Sequence, residues 1–169
     1  TLADADLGVV QHAASWNAGV VTDLGTLGGS TSFAAAVNGF GQVVGWSSNA
    51  GDAAVRAVLW QGGVAQDLGT LGGATSQAYA ISNNRGVVGV ADTASGAPHG
   101  FFLTLDPAGT VTSRVDLGTL AGGYSYAYGL NNSADIVGTS GSRAFLWHAG
   151  VMSDLNTQIP AGSGWVLER

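Results

Sequence analysis

A short motif that recurs along the chain constrains its fold more than any other sequence feature. Asp-Leu-Gly-Thr-Leu, which becomes Asp-Leu-Asn-Thr in the last copy, begins at Asp23, Asp67, Asp116 and Asp154. A Val-Val-Gly or Ile-Val-Gly sequence follows each of the first three copies at a constant distance and ends at Gly45, Gly89 and Gly138. Such self-similarity, with a period of about 44 residues, predicts stacked copies of one structural unit.

Glycine and asparagine turn signals divide each unit into four candidate strands. The first strand is predicted at 32–38, 76–82 and 125–131, and the second at 41–47, 85–91 and 134–139. The third is predicted at 12–16, 56–60, 99–105 and 143–147, and the fourth at 19–25, 63–69, 110–118 and 150–156. We therefore predict an all-β protein of four-stranded antiparallel units.

Composition excludes several classes of protein. With 46 % hydrophobic and 9 % charged residues, the chain is too apolar to be disordered. Its net charge of −6 argues against nucleic acid and anionic membrane surfaces as partners. No apolar run approaches the length that spans a bilayer, so no membrane insertion is expected. The absence of cysteine excludes disulfides and thiolate metal sites, and we expect neither a cofactor nor a metal.

A basic or imidazole residue begins the third strand of each unit, at His12, Arg56, His99 and Arg143. Directly opposed residues of an antiparallel hairpin keep a constant sum of residue numbers. Two-residue loops such as Asn17-Ala18, and a turn at Asp106-Pro-Ala-Gly109, set the register. This register places these four residues, in the same order, opposite Asp23, Asp67, Asp116 and Asp154. Each predicted cross-strand pair contributes roughly 0.2–1 kcal/mol.

The repetition of these pairs favours a structural role over a catalytic one. A histidine beside a carboxylate can act as a general base. Arginine occupies the same place in two of the four units, and it stays protonated at ordinary pH. The chain also lacks a Gly-x-Ser-x-Gly elbow, a Walker loop and a His-Glu-x-x-His motif. We therefore assign no catalytic residue and expect no enzyme activity.

The first strand of each unit alternates between two faces, one of which carries only small residues. These residues are Ala34, Ala36, Ala78, Ala80, Ala127 and Gly129. A face restricted to alanine and glycine is typical of a strand that another backbone approaches closely. The third strands carry a recurring large residue, which we predict to be core filler, at Trp16, Trp60, Leu103 and Trp147.

The period and the four antiparallel strands per unit favour a β-propeller-like architecture within one domain, 1–169. The boundaries are a partial unit at 1–29, units at 30–73, 74–122 and 123–160, and the start of another at 161–169. Asp6-Leu7-Gly8 is a candidate second strand of the partial unit. Four blades result if the terminal strands combine within one chain. The alternatives are head-to-tail joining between chains by strand complementation, and a longer array of which this chain is a piece.

Four sequence elements resemble a known family. They are Asp-Leu-Gly-Thr-Leu-Gly-Gly (23–29, 67–73), Gly-Gln-Val-Val-Gly (41–45), Ala-Tyr-Ala-Ile-Ser-Asn-Asn (78–84) and Arg-Ala-Phe-Leu-Trp (143–147). In this order they are similar to the bacterial extracellular repeat family called HAF, over about residues 8–160. The resemblance implies a secreted or cell-surface protein with no general enzymatic activity. Gly100 and Leu103 depart from the pattern, where alanine and tryptophan are usual.

Aromatic residues that break the repeat are the candidates for ligand or partner contact. Tyr124, Tyr126 and Tyr128 alternate along one predicted strand and so share a face. Trp46 lies where the other units have smaller residues. Tyrosine and tryptophan can stack on sugars or anchor protein contacts, which makes a glycan or a surface protein a candidate partner. The interpretation that we favour from the sequence is that these rings fill an interface between units or subunits.

Three functions remain open at this point. The first is a noncatalytic secreted or cell-surface repeat scaffold of a bacterium that acts in adhesion, recognition or assembly. The second is a structural subunit that self-associates head-to-tail through its terminal strands into an extracellular filament. The third is a carbohydrate-binding or carbohydrate-active domain, although glycosidase chemistry needs two carboxyl groups that flank one sugar.

Overall fold

The computed structural model describes residues 11–167 and confirms the all-β prediction. Strands account for 61 % of the described residues and helix for 4 %. Within the described residues, fourteen strands form four antiparallel sheets. Asp6-Leu7-Gly8, the candidate second strand of the partial unit, lies outside this range.

Each sheet is a meander in which strands that are consecutive in the chain are neighbours. The first sheet contains β1 (Ala13–Asn17) and β2 (Val20–Gly25). The second contains β3 (Gly28–Val37), β4 (Val43–Asn49), β5 (Val55–Gln61) and β6 (Val64–Asp67). The third contains β7 (Gly72–Ile81), β8 (Gly86–Thr93), β9 (Pro98–Leu105) and β10 (Val111–Asp116). The fourth contains β11 (Ser125–Leu130), β12 (Ile136–Ser140), β13 (Arg143–His148) and β14 (Val151–Asp154).

The core lies between successive sheets rather than inside any one of them. β7 packs on β4 and β5 of the preceding sheet, and β11 packs on β8 and β9. Three buried clusters result, one for each pair of neighbouring sheets. Their largest members are Trp60 between the first and second sheets, Leu59 and Phe101 between the second and third, and Phe145 between the third and fourth. Burial of apolar surface at about 25 cal/mol per Å² therefore stabilises the stacking of the sheets.

The recurring Val-Val-Gly sequence is explained by a close approach of two backbones. A β-bulge interrupts the pairing of the first two strands in each four-stranded sheet, at Ala35, Tyr79 and Tyr128. Beside the bulge, a Cβ atom on the glycine of the second strand would overlap a carbonyl oxygen of the first strand. The glycines are Gly45, Gly89 and Gly138, and the carbonyl groups belong to Phe33, Gln77 and Tyr126. Only glycine fits this position.

The small face of the first strands lies against the preceding sheet. Ala78 and Ala127 are fully buried. An added Cβ on Gly100 of β9 would lie 3.2 Å from the backbone nitrogen of Ala127. This contact is the close backbone approach predicted from the alternation, and it accounts for glycine in place of alanine at residue 100.

The hairpins between the third and fourth strands differ from the predicted register by two residues. Their loops lie one residue later than expected, at Ala18-Gly19, Gly62-Gly63 and Ala149-Gly150, and all six residues have positive φ. Two consecutive positive φ angles define the type I′ turn, whose twist matches that of the flanking strands. The residues directly opposite the four aspartates are consequently Ala14, Val58, Phe101 and Phe145.

The longer hairpin of the third sheet has the predicted turn. Gly109 donates its N–H to the Asp106 carbonyl oxygen at 3.0 Å, and Thr110 donates to the Asp106 carboxylate at 2.8 Å. A β-bulge between Val111 and Ser113 adjusts the register, so that Phe101 rather than His99 is opposite Asp116.

A buried serine in each first strand joins one sheet to the next. Its hydroxyl accepts the N–H of a third-strand residue in the preceding sheet and donates to the glycine carbonyl of the preceding Asp-Leu-Gly. The N–H bonds join Ala13 to Ser32, Ala57 to Ser76 and Gly100 to Ser125, each at 2.9 Å. The hydroxyls donate to Gly25, Gly69 and Gly118 at 2.7, 2.6 and 2.6 Å. We call this arrangement the serine joint.

The remaining residues of the recurring motif shape the connection that ends in this joint. Asp67 accepts the N–H of Gly69 at 2.7 Å, and Leu68 is buried in the core between sheets. Thr70 donates its hydroxyl to the Gly73 carbonyl oxygen at 3.0 Å and so holds the turn before β7. Similar bonds recur at Asp23 and Thr26 in the first copy.

Two expectations about the ends of the array are wrong. Trp60 is 2 % exposed and Leu103 is fully buried, as predicted for core filler, but Trp16 is 72 % exposed. Residues 163–167 do not form the predicted strand. The Leu167 carbonyl oxygen instead accepts the Ala144 N–H at 3.2 Å. Ala144 is the counterpart of Ala57, so Leu167 takes the place that a joint serine takes elsewhere.

Gly89→Ala is expected to reduce the free energy of unfolding by about 3 kcal/mol or more, because the new methyl group overlaps the Gln77 carbonyl. Gly129→Ala is the matched control. Its Cβ would lie 3.5 Å from Val137 Cγ2, and the other units carry Ala36 and Ala80 there. The control is expected to change stability by no more than about 1 kcal/mol, in the stabilising direction. Urea denaturation of both variants measures the difference, and equal effects would contradict the close approach.

Ser76→Ala is expected to lower the free energy of unfolding by about 1–3 kcal/mol, because it leaves the buried Ala57 N–H without its acceptor. Ser113→Ala, at an exposed strand position, is the control and should lie within about 0.5 kcal/mol of the wild type. Hydrogen exchange at Ala57 provides an independent readout. Unchanged protection of that amide in Ser76→Ala would show that the joint does not hold the sheets together.

Candidate functional site: an aromatic row across three sheets

The structure brings together the basic residue and the aspartate in every unit. The shortest distances are 2.8 Å for His12–Asp23, 3.2 Å for Arg56–Asp67, 2.9 Å for His99–Asp116 and 3.3 Å for Arg143–Asp154. The partners are diagonal neighbours, not directly opposed, because the register is shifted by two residues. A shift of two keeps both side chains on the same face, and long side chains still reach across the diagonal.

The aspartates in these pairs also serve the turns that follow them. Asp116 accepts the Gly118 N–H at 2.8 Å and contacts His99 with both carboxylate oxygens. The hydrogen bond from His12, with the Gly25 N–H, lowers the pKa of Asp23. The Asn156 N–H, more than the Arg143 guanidinium, lowers the pKa of Asp154. Each of these three aspartates thus lies between a cross-strand partner and a backbone N–H, and for Asp23 and Asp154 these contacts favour the charged form.

A fifth ion pair was not predicted from the repeat. His148 Nδ1 lies 2.5 Å from Asp135 Oδ1, across the two strand ends of the fourth sheet. The His148 hydrogen bond, followed by that from Asn131, lowers the pKa of Asp135. The corresponding positions of the second sheet carry Gln42 and Gln61, which are hydrogen-bonded at 2.8 Å, so the same contact is made there by amides instead of an ion pair.

The four candidate contact residues, Trp46, Tyr124, Tyr126 and Tyr128, belong to one continuous row of aromatic side chains. Phe33 stacks on Trp46 at 4.5 Å between ring centroids, and Trp46 meets the edge of Tyr79 at 6.1 Å. Tyr79 stacks with Tyr128 at 5.7 Å. Tyr128 stacks with Tyr126 at 6.1 Å, and Tyr126 contacts Tyr124 at 5.9 Å. We call these six residues the aromatic row.

The row is built by the first strands of three sheets. Phe33 lies on β3, Tyr79 on β7, and Tyr126 and Tyr128 on β11, while Trp46 comes from β4. β7 packs against both β3 and β11, so the same face of each first strand contributes to one surface. The stacking of the sheets therefore creates the row, which no single unit contains.

Three of the six rings in the row are open to solvent. Phe33 is 54 % exposed, Tyr124 46 % and Tyr128 42 %. A cavity of about 520 Å³ opens beside Tyr124, Tyr126 and Tyr128, and the hydroxyl-bearing residues Thr139 and Ser142 also line it. A smaller cavity of about 260 Å³ lies between Tyr126 and Tyr79. The two cavities share Tyr126, which forms the wall between them.

The described residues around the row are aromatic or uncharged, with the exception of Asp92. None of the described arginines lines either cavity. Burial, with smaller effects from Tyr128 and Tyr126, raises the pKa of Tyr79 to about 12, so its hydroxyl stays protonated. That hydroxyl donates to the Gln77 side chain at 2.9 Å. Asp92, at the smaller cavity, accepts both the N–H and the hydroxyl of Thr75.

Sequence reasoning missed two members of the row, Phe33 and Tyr79. Both occupy the face of the first strand that also carries Tyr126 and Tyr128, which is the signal that could have identified them. The contact between Trp46 and Tyr79 could not be predicted, because it depends on how one sheet packs on the next.

Comparisons of the chain with protein-family models, with curated proteins and with solved structures return no match. Residues 11–167 include no group of three or more His, Cys, Asp or Glu side chains arranged to hold a metal ion. None of the helices in that range has the length and apolarity needed to cross a membrane.

The lowered aspartate pKa values predict a loss of stability in acid. Asp23, Asp52, Asp135 and Asp154 have pKa values below the ordinary 3.8. The stability that each contributes is therefore complete above 3.8 and is lost as the pH falls through the lowered value. The melting temperature should be nearly constant from about pH 7 to about pH 5 and should fall below about pH 4.

Asp154→Asn tests the origin of this loss. The variant cannot take up the proton that destabilises the wild type, so the difference between its melting temperatures at about pH 5 and about pH 2.5 should be smaller. An acid-induced loss as large as that of the wild type would show that Asp154 does not contribute.

Proposed function

We propose that this chain is a noncatalytic repeat scaffold of propeller-like units, secreted by or displayed on a bacterium, that recognises a ligand through its aromatic row. The row is the single observation that carries the proposal. Six rings in contact span three sheets, and three of them are at least 42 % exposed. Exposed aromatic clusters of this size mark sites of interaction.

The recurring arrangement of the sheets supports propeller-like units. Each complete sheet is a four-stranded antiparallel meander, and its first strand packs on the sheet before it. The serine joint recurs at Ser32, Ser76 and Ser125 with nearly constant distances. Stacked four-stranded meanders are the blades of a propeller. Completion of the first sheet by the terminal segments would give four blades.

The polar pairs support a noncatalytic role. Arginine at positions 56 and 143 takes the place of His12 and His99, in similar geometry. Arginine cannot accept a proton at ordinary pH, so an arrangement that works equally with arginine is not built for base catalysis. Its recurrence in every unit fits a role in holding the hairpins in register.

The support for an extracellular location is the resemblance of the repeat elements to the HAF family. That resemblance implies secretion or attachment to the cell surface. A neutral, aromatic recognition surface suits that setting, because polysaccharides and surface proteins are the ligands available there.

Tyr128→Ala is expected to weaken ligand binding by at least about tenfold, because the ring is exposed at the centre of the row. Arrays of glycans and of cell-surface proteins, scored for both binding and turnover, identify the ligand on which this loss is measured. Trp16→Ala is the control, since it removes an even more exposed ring outside the row. Turnover of a ligand, or binding that Tyr128→Ala leaves intact, would contradict the proposal.

A further inference from the structure

We infer that the aromatic row binds a single chain of a neutral polysaccharide, with successive sugar residues on either side of Tyr126. This inference rests on the proposed recognition function and specifies the chemical class of its ligand. It follows from the shape of the two cavities, from the charge of their walls and from the spacing of the rings.

The two cavities have the form of neighbouring subsites. The larger, of about 520 Å³, lies within the range of about 300–1,000 Å³ that is usual for ligand pockets. The smaller, of about 260 Å³, is next to it, and both are lined by Tyr126. A ligand that fills both must therefore pass over the Tyr126 ring. A polymer with repeating units meets this requirement, whereas a small compact ligand would occupy only one cavity.

The walls offer hydrogen bonds, and among the described residues that line them Asp92, in the smaller cavity, is the only acidic or basic side chain. The larger cavity presents tyrosine hydroxyls with those of Thr139 and Ser142, and its described lining includes no Asp, Glu, His, Lys or Arg side chain. In the smaller cavity the Asp92 carboxylate is already bonded to Thr75. Aromatic faces for C–H surfaces, and hydroxyls for hydroxyls, are complementary to an uncharged sugar.

The spacing of the rings argues against a proline-rich peptide, the other ligand that aromatic grooves commonly bind. A polyproline II helix advances about 3.1 Å per residue and presents the same face every three residues, or about 9 Å. Successive ring centroids from Trp46 to Tyr124 are 5.7–6.1 Å apart. This interval is too short for one helical turn per ring, so a polyproline helix cannot use every ring of the row.

The absence of basic groups argues against single-stranded nucleic acid. Such ligands stack on aromatic rings as well, but they require a positively charged groove for the phosphates. Among the described arginines, Arg56 and Arg143 pair with aspartates, and none lines the cavities.

The test uses the full chain and affinity electrophoresis in gels that contain one polysaccharide each. Neutral polymers (mixed-linkage β-glucan, glucomannan, xylan and dextran) are compared with acidic ones (alginate and polygalacturonate), and polyproline is titrated separately. We expect retardation by at least one neutral polymer, with little change between about 0.05 and 0.5 M salt, because the contacts carry no charge.

Variants assign this binding to the row. Tyr126→Ala should weaken binding at least about tenfold, and Tyr126→Phe should recover most of the loss because it restores the ring. Tyr124→Ala, at an exposed position, gives a second measurement that does not disturb the packing at the wall. Trp16→Ala should bind like the wild type. Binding of the neutral polymer that survives both alanine substitutions would overturn the inference.

The outcomes separate this inference from the proposed function. Row-dependent binding of an acidic polymer, of polyproline or of a surface protein, without neutral polymers, would overturn the neutral polysaccharide and leave a recognition scaffold. Cleavage of the polymer, measured as new reducing ends, would overturn the noncatalytic function as well. A protein that binds none of the polymers, peptides or surface proteins through the row would overturn both.

Discussion

The buried serine joint is the interaction on which the rest of the structure depends. In each copy one hydroxyl accepts an N–H from the preceding sheet and donates to the glycine carbonyl of the connecting segment. Both bonds are shielded from water, since Ser76 is almost completely buried. Buried polar groups are costly when they lack partners, so the joint strongly favours one relative position of the two sheets. The apolar cores between the sheets then form around it.

The aromatic row is a property of the stacked array and not of any single unit. The aromatic row has members on β3, β4, β7 and β11, and the smaller cavity beside it is lined by residues of the third sheet and by Tyr126 of the fourth. The polar pairs, by contrast, lie within single hairpins and recur in every unit. The repeated residues maintain the scaffold. Residues that depart from the repeat, such as Tyr126 and Trp46, form a surface whose side chains differ from one unit to the next.

Much of this organisation could be predicted from spacing. The order of the strands, the four polar pairs, the Asp106–Gly109 turn and the burial of Trp60 follow from the repeat and from turn chemistry. The hairpin register could not be obtained in the same way, because a two-residue loop at 17–18 and one at 18–19 are both compatible with the alternation. The backbone twist of the type I′ turn selects the second. The prediction that Trp16 is buried in the core is wrong, because the residues around a side chain, and not its position in the repeat, determine its burial.

The amino-acid sequence by itself determined that the chain forms β-hairpins, where they turn and which polar residues hold them together, because these depend on local periodicity and turn preferences. Only the tertiary structure decided that Phe33, Trp46 and Tyr79 join the three tyrosines of the last unit in one row. Contacts between side chains far apart in the chain depend on the offset and angle between sheets. Those are determined by packing at the serine joint and the cores, which no local pattern records.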